Sequence, residues 1–275
     1  MANSSPHIWG PFSVRLLAIW RYKDFVRGMV LREFRGRYRG SLLGSVWSIL
    51  QPMALIFIYT IVFSKVMGAR IKGVEDTMAY GIFLCGGLLP WGYFTELLGR
   101  CPDIFIGQAN LLKKVNFPRS TLPVVLFLST TINFIIVFTI FLFFLLITGR
   151  FPGWSILGFI PLLLIQQSFT LGIGMSLGVF NVFFRDIGHI VKIALQFWFW
   201  VTPIVYPVSI LPDRLRGLIE LNPLTHFITA YQQIVLHNQW PQLILFKYHL
   251  IISIATLITG FFLFRRLSGD IVDEL

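Results

Sequence analysis

Glu96 and Arg100 are the two side chains of this sequence best spaced to act together. Four residues apart, they share one face of a helix at the end of the apolar run Met78–Leu98. A carboxylate at membrane depth can relay protons or hold a cation. At a helix end beside an arginine it makes an ion pair, and that is the expectation here. A proton-coupled carrier calls for deeper carboxylates and internal repeats, and the chain offers neither. Glu33 lies in the tract "LREFRGRYRG" among Arg32, Arg35, Arg37 and Arg39, and pairing with a neighbouring arginine is expected for it. His7, His189, His226, His237 and His249 show no metal-ligand spacing, so no metal site is expected. There is no G-x-x-x-x-G-K-[ST] loop, so ATP is not bound in the P-loop manner and any ATP-driven work needs another chain. Cys85 and Cys101 imply neither a disulfide framework nor a metal site.

Aromatic residues are the other chemical feature. In "QFWFWVTPIVYP", Phe197, Trp198, Phe199 and Trp200 are consecutive and so point around a helix in several directions, with Tyr206 following; Phe57, Tyr59 and Phe63 sit in an earlier apolar run. Such rings can stack on the C–H faces of sugars and let a polymer slide past, or they can form the ordinary interfacial belt. The belt reading is preferred for Trp47 and Trp91. Gly174 and Gly178 in "TLGIGMSLGVF" form a G-x-x-x-G that permits close packing within or between subunits.

What must hold these residues is a membrane bundle. The chain is 56% hydrophobic and 13% charged, with a mean hydropathy of +0.75, too apolar for one soluble core. Its net charge of +11 would suit a nucleic-acid binder if the cations formed a patch, but they lie between spanning-length runs, so nucleic acid is not an expected partner. Six apolar runs approach the length of a crossing helix: Leu42–Val66, Met78–Leu98, Thr121–Thr148, Ile156–Phe184, Ile190–Tyr206 and Phe246–Phe264. Pro52, Pro90, Pro161 and Pro203 soften their bounds. Most of the 23 Lys and Arg fall on the side of the two termini, against Lys65, Arg70, Lys72, Arg150, Arg214, Arg216 and Lys247 on the other. By the positive-inside rule both termini are expected in the cytoplasm. The N-terminus lacks the form of a signal peptide, so insertion through an uncleaved first span is expected.

Ahead of the first run, Tyr22, Phe25, Val26, Met29 and Val30 share one helical face that Arg21, Asp24, Arg27, Arg32 and Arg35 avoid, the pattern of an interfacial helix. Between the second and third runs, Asn110 as N-cap followed by Leu111, Leu112, Lys113, Lys114, Val115 and Asn116, halted after Phe117 by Pro118, reads as a turn or two of helix needing a surface to lie on. A second short loop, "NVFFRDIGHIVK", offers Arg185 beside Asp186. Between the last two runs, a proline-broken stretch too polar to span reads as short helices dipping into the outer leaflet.

Taken in order, "REFRGRYRGSLLGSVWSILQPMALIFIYTIVFS", "NLLKKVNFPRSTLPV", "FNVFFRDIGHIV", "WFWVTPIVYP", "LNPLTHFITAYQ" and "FRRLSGDIVDEL" resemble the permease subunits of ABC transporters that export lipid-linked polysaccharide (O-antigen, capsule or teichoic acid). The resemblance covers nearly the whole chain. It implies an all-α integral membrane fold of the type-2 ABC exporter kind: a cytoplasmic N-terminus and interface helix over residues 1–40, then six transmembrane helices over 41–275 with short external re-entrant gate helices. The coupling loop would lie at about 100–120, a second cytoplasmic loop at about 183–192 and the external gate at about 207–242. It further implies a homodimer with its channel at the dimer interface, two copies of a cytoplasmic ATPase that bind ATP and magnesium while this chain binds no cofactor, and a polyprenyl-diphosphate-linked glycan crossing the bacterial cytoplasmic membrane. On that pattern Asn110–Pro118, Arg185–Asp186 and Glu33 contact or follow the ATPase. The "RYRGSLLGSVWS" form favours O-antigen. Capsule, teichoic acid and small-lipid or drug export are the alternatives, as is a membrane enzyme acting on lipid-linked sugars, for which only Glu96, Asp103 and Asp186 would be on hand beyond the interface helix.

Overall fold

The computed structural model describes residues 22–37, 40, 42–62, 78–114 and 117–274. His7, Arg21, Arg39, Phe63, Lys65, Arg70, Lys72, Val115 and Asn116, named above, lie outside them. Eleven α-helices follow in chain order among the described residues: α1 (Lys23–Arg37), α2 (Trp47–Ile61), α3 (Ala79–Arg100), α4 (Ala109–Lys114), α5 (Thr121–Ile147), α6 (Phe159–Phe183), α7 (Ile187–Val201), α8 (Asp213–Glu220), α9 (Pro223–His237), α10 (Lys247–Leu267) and α11 (Asp270–Glu274). Four stretches are long and apolar enough to cross a bilayer: Ala79–Arg100, Thr121–Ile147, Gly153–Phe183 and Leu243–Leu267. The first and fifth expected spans, α2 and α7, are apolar helices of 15 residues each, rising about 22 Å against a hydrocarbon core of about 30 Å. α7 stops at Val201 rather than Tyr206 because Pro203 drives Thr202 into an extended conformation (φ −100°, ψ 131°).

α3 is the central post. Most of its residues are buried, and glycines bring its neighbours to the backbone: a Cβ on Gly81 would lie 2.6 Å from the Thr60 Cα on α2, and one on Gly86 2.6 Å from Val235 Cγ2 on α9. α9 fills the other side of this main core. Leu224, Phe227, Ile228, Tyr231, Ile234 and Val235, spaced to line one helical face, are all buried. The short helices expected at the lipid surface are thus unlike one another. α8 leaves Leu215 and Leu218 exposed, whereas α9 is enclosed by protein, as backbone short of a full crossing must be. Asn222 caps α9, its side chain accepting from Leu224 N, with Pro223 at the first turn; Asn238 ends it in the left-handed region at φ 54°.

α5 and α10 turn Ile135, Phe143 and Leu146, and Ile251, Ile258 and Phe262, outward. Against hydrocarbon such faces gain little by association, so contact must come from shape. α6 and α10 meet at Gly172 and Gly260, where a Cβ on either glycine would fall inside the other helix's backbone. Gly260→Leu is expected to separate the two helices and to cut the amount of folded protein in the membrane at least several-fold, read by detergent-resistant fluorescence of a tagged chain. Wild-type amounts would show that this crossing is dispensable.

A second, smaller core closes the α4 end of the bundle. Val26, Met29 and Val30 of α1 join Phe105, Leu112, Phe117, Leu122, Val125, Val179, Val182, Phe264 and Ile271. The apolar stripe read from α1's sequence is therefore its buried face, lying along α5.

Candidate functional site

Glu33 continues that stripe one turn beyond Val30, so its carboxylate is carried toward α3 and α5 instead of into solvent. It accepts from Arg100 Nη2 and, at 2.9 Å, from Ser129 Oγ on α5. The partner is thus 67 residues away, not a neighbouring arginine, because the α1 arginines that are described point to the exposed side. Arg100 Nη1 stands 3.6 Å from Glu96 Oε1, the expected i,i+4 pair, and Asn133 Nδ2 donates to Glu96 Oε2 at 2.6 Å. One guanidinium thereby holds two carboxylates and ties α1, α3 and α5 together. This cluster ends a groove of about 740 Å³ between α2, α3 and α5, whose walls include Trp47, Gln51, Tyr59, Leu88 and Trp91.

The α3–α4 loop is keyed to α6. Gly174, Gly178 and Asn181 form one stripe of α6 at i, i+4 and i+7. A Cβ on Gly174 would strike the Cys101 side chain, and one on Gly178 would lie 2.8 Å from the Cys101 carbonyl. The G-x-x-x-G thus seats a loop; the close helix crossing is made by Gly172 instead. Burial pushes the Cys101 pKa up to about 12, against the pull of Arg100, and the neutral thiol packs against Gly174. Asn181, itself buried, donates from Nδ2 to the Pro102 carbonyl at 3.0 Å and accepts at Oδ1 from Gly188 N at 2.8 Å, joining this loop to the start of α7.

Helix α4 begins at Ala109, out of a 3-10 turn over Ile106–Gln108. Asn110 is therefore inside the helix and cannot be its N-cap, since the turn already delivers the chain in helical conformation. Asn110, Lys113 and Lys114 are exposed, Leu111 and Pro118 half-buried, and Leu112 and Phe117 buried in the second core. An outside partner can reach the first three; Leu112 is already used within the subunit. Arg185 and Asp186 are exposed at the turn into α7.

The aromatic quartet divides. Trp198 and Phe199 are half-buried and face α3, Trp198 edge-on to Phe94 at 5.3 Å and Phe199 edge-on to Trp91 at 5.9 Å. Phe197 and Trp200 point outward with Ile190 and Ile193, spaced along one face. Phe57 on α2 is also exposed, Tyr59 lines the groove, and Tyr206 donates to the Trp200 carbonyl at 2.8 Å. At the far end of α7, Asn222 Oδ1 accepts from Trp198 Nε1 and Asn222 Nδ2 donates to Thr202 Oγ1, both at 2.9 Å. Sequence reasoning missed Asn181, Asn222, Ser129 and Asn133, since a lone polar residue in an apolar helix does not name its partner.

The family of ABC-2 type transporters matches residues 25–236. The O-antigen export system permease protein RfbA of Myxococcus xanthus is 34% identical over 225 residues, covering 81% of this chain and 84% of that protein. Its namesake in Klebsiella pneumoniae is 30% identical over 208 residues, 75% and 78% of the two chains. The polysialic acid transport protein KpsM of Escherichia coli is 23% identical over 246 residues, 88% and 93%. A match over most of the length, on an all-helical framework with four bilayer-length helices, is that of a transport subunit embedded in a membrane and not of a catalytic enzyme: the chain belongs to the ABC-2 type transporter family.

Proposed function

We propose that this chain is the permease half of an exporter for lipid-linked O-antigen in the bacterial cytoplasmic membrane. The observation that carries the reading is 30–34% identity, across three quarters of the chain or more, to permeases named for O-antigen export. On this reading α2 and α7 also cross, giving six spans with both termini and the α4 end in the cytoplasm, and α8 and α9 form the external gate. Two copies meet through the outward faces of α2 and α7, where Phe57, Phe197 and Trp200 offer flat apolar surfaces along which sugar rings can slide. Two copies of a separate ATPase, carrying ATP and magnesium, drive the cycle. The cargo is a glycan on a polyprenyl diphosphate. In cells lacking the gene, surface O-antigen is expected to vanish while the lipid-linked polymer accumulates inside; unchanged surface polymer would reject the reading.

Coupling is assigned to Asn110, Lys113 and Lys114, with Val115 and Asn116 beyond them, to Arg185 and Asp186, and to Glu33 behind them. Exposed cations on a helix held by its buried Leu112 suit an acidic seat on the ATPase. Lys113→Glu with Lys114→Glu is expected to lower export at least tenfold and to weaken co-purification of the ATPase, with the amount of permease unchanged. Full export by this pair would remove α4 from the contact. Leu112→Asp would not test docking, because it buries a carboxylate in the second core.

A further inference from the structure

Within the subunit α7 buries fewer residues than α3, α6 or α9 around it. Of its 15 residues only Gly188 and Val191 are buried, yet each end is gripped by an asparagine. At its start, Asn181 spans from the Gly188 amide to the Pro102 carbonyl in the α3–α4 loop. At its far end, Asn222 holds Trp198 and Thr202 with the same side chain that caps α9. Three helices connect the α3–α4 loop with α9: α3, α6 and α7. α3 and α6 are both locked: a Cβ on Gly81, Gly86 or Gly87 of α3, or on Gly172 of α6, would fall within 3 Å of a neighbour, and sliding either helix would break this packing. α7 has the fewest buried residues of the three within the subunit, so a shift of α7 as a body disturbs the packing inside the subunit least.

Resting on the export reading above, we propose that α7 is a connecting rod and that Asn181 and Asn222 are its two joints, so that displacement of the α3–α4 loop reaches α9 through α7. When the loop moves, the Pro102 carbonyl carries Asn181 and with it the Gly188 amide. α7 then tilts about Val191, and Asn222 transfers the tilt to the first turn of α9. The outward face bearing Ile193, Phe197 and Trp200 turns with it. Asn181 and Asn222 are positioning residues; neither touches the cargo.

The test uses the full permease–ATPase complex in membranes and reads polymer exported per ATP hydrolysed, a ratio that a mere loss of protein does not move. Asn181→Asp keeps the acceptor for Gly188 but replaces the donor to Pro102, and Asn222→Asp keeps the cap on α9 and the bond from Trp198 but loses the donor to Thr202. Each is expected to retain the ATPase and its hydrolysis while lowering the ratio at least tenfold. Should either fail to accumulate, Thr202→Val removes the Asn222 Nδ2 bond from the other side without altering Asn222 or its bond from Trp198. Wild-type ratios in the variants, beside a wild-type complex that exports, overturn the rod and leave the export reading intact. A wild-type complex that exports no lipid-linked glycan overturns the export reading itself.

Discussion

Arg100→Met is expected to lower export at least tenfold and to cost about 2 kcal/mol of stability, near the middle of the range for hydrogen bonds to charged groups. The guanidinium stands between Glu33 and Glu96, and without it the two carboxylates lose the cation they share, keeping Ser129 and Asn133 as donors. Removing one partner from a buried pair costs more than the pair contributes, because the remaining charge is left unanswered. These side chains keep 21–36% of their exposure, which holds the figure below that for full burial. Thermal unfolding in detergent should fall by about 5 °C for a chain of this length. Glu33→Gln, which can still accept from Arg100 and Ser129, should lose less stability than Arg100→Met. If Arg100→Met melts and exports like the wild type, the cluster does not hold α1 to the bundle.

Tyr231→Ala is expected to be the most destabilising of the changes considered. The ring is fully buried, 4.7 Å from Phe159 centre to centre. Its hydroxyl donates to Gln166 Oε1 at 2.8 Å, and Gln166 Nε2 in turn reaches the Pro90 carbonyl at 3.4 Å. Truncation opens a cavity at the middle of α9 and strands the Gln166 oxygen, costing about 3–5 kcal/mol. Tyr231→Phe keeps the volume and loses only the hydroxyl, for about 1 kcal/mol. Membrane-resident protein and its melting temperature should therefore order as wild type, Phe, Ala, with the larger step at Ala. Equal losses in the two variants would place the anchor of α9 in the hydrogen bond instead of in the packing.

The parts of this architecture that were legible in the sequence repeat with a period. Among the described residues each of the six apolar runs holds an α-helix, and the stripe Val26–Met29–Val30 is the buried face of α1. Lengths were less legible: Thr202 ahead of Pro203 ends α7 early, and α2 is followed by residues outside those described. Asn110 resembled a cap because the 3-10 turn before it leaves no mark in composition. Leu112 looked available to a partner because a two-turn helix does not declare which side its own subunit covers. Phe197 and Trp200 are three residues apart and share a face that Trp198 and Phe199 do not, so their division was implicit in helix geometry, while the direction of each face was not. Glu33 finding Arg100, and Asn181 bridging Pro102 and Gly188, depend on chain segments meeting in space, and no local pattern encodes that.

The tie made where the α2–α5 groove meets α1 has a consequence for the order of assembly. Glu33 finds its partners 67 and 96 residues further along the chain, so α1 is synthesised well before the helices that hold it. Its docking is a closing step of folding, taken only once α3 and α5 stand together.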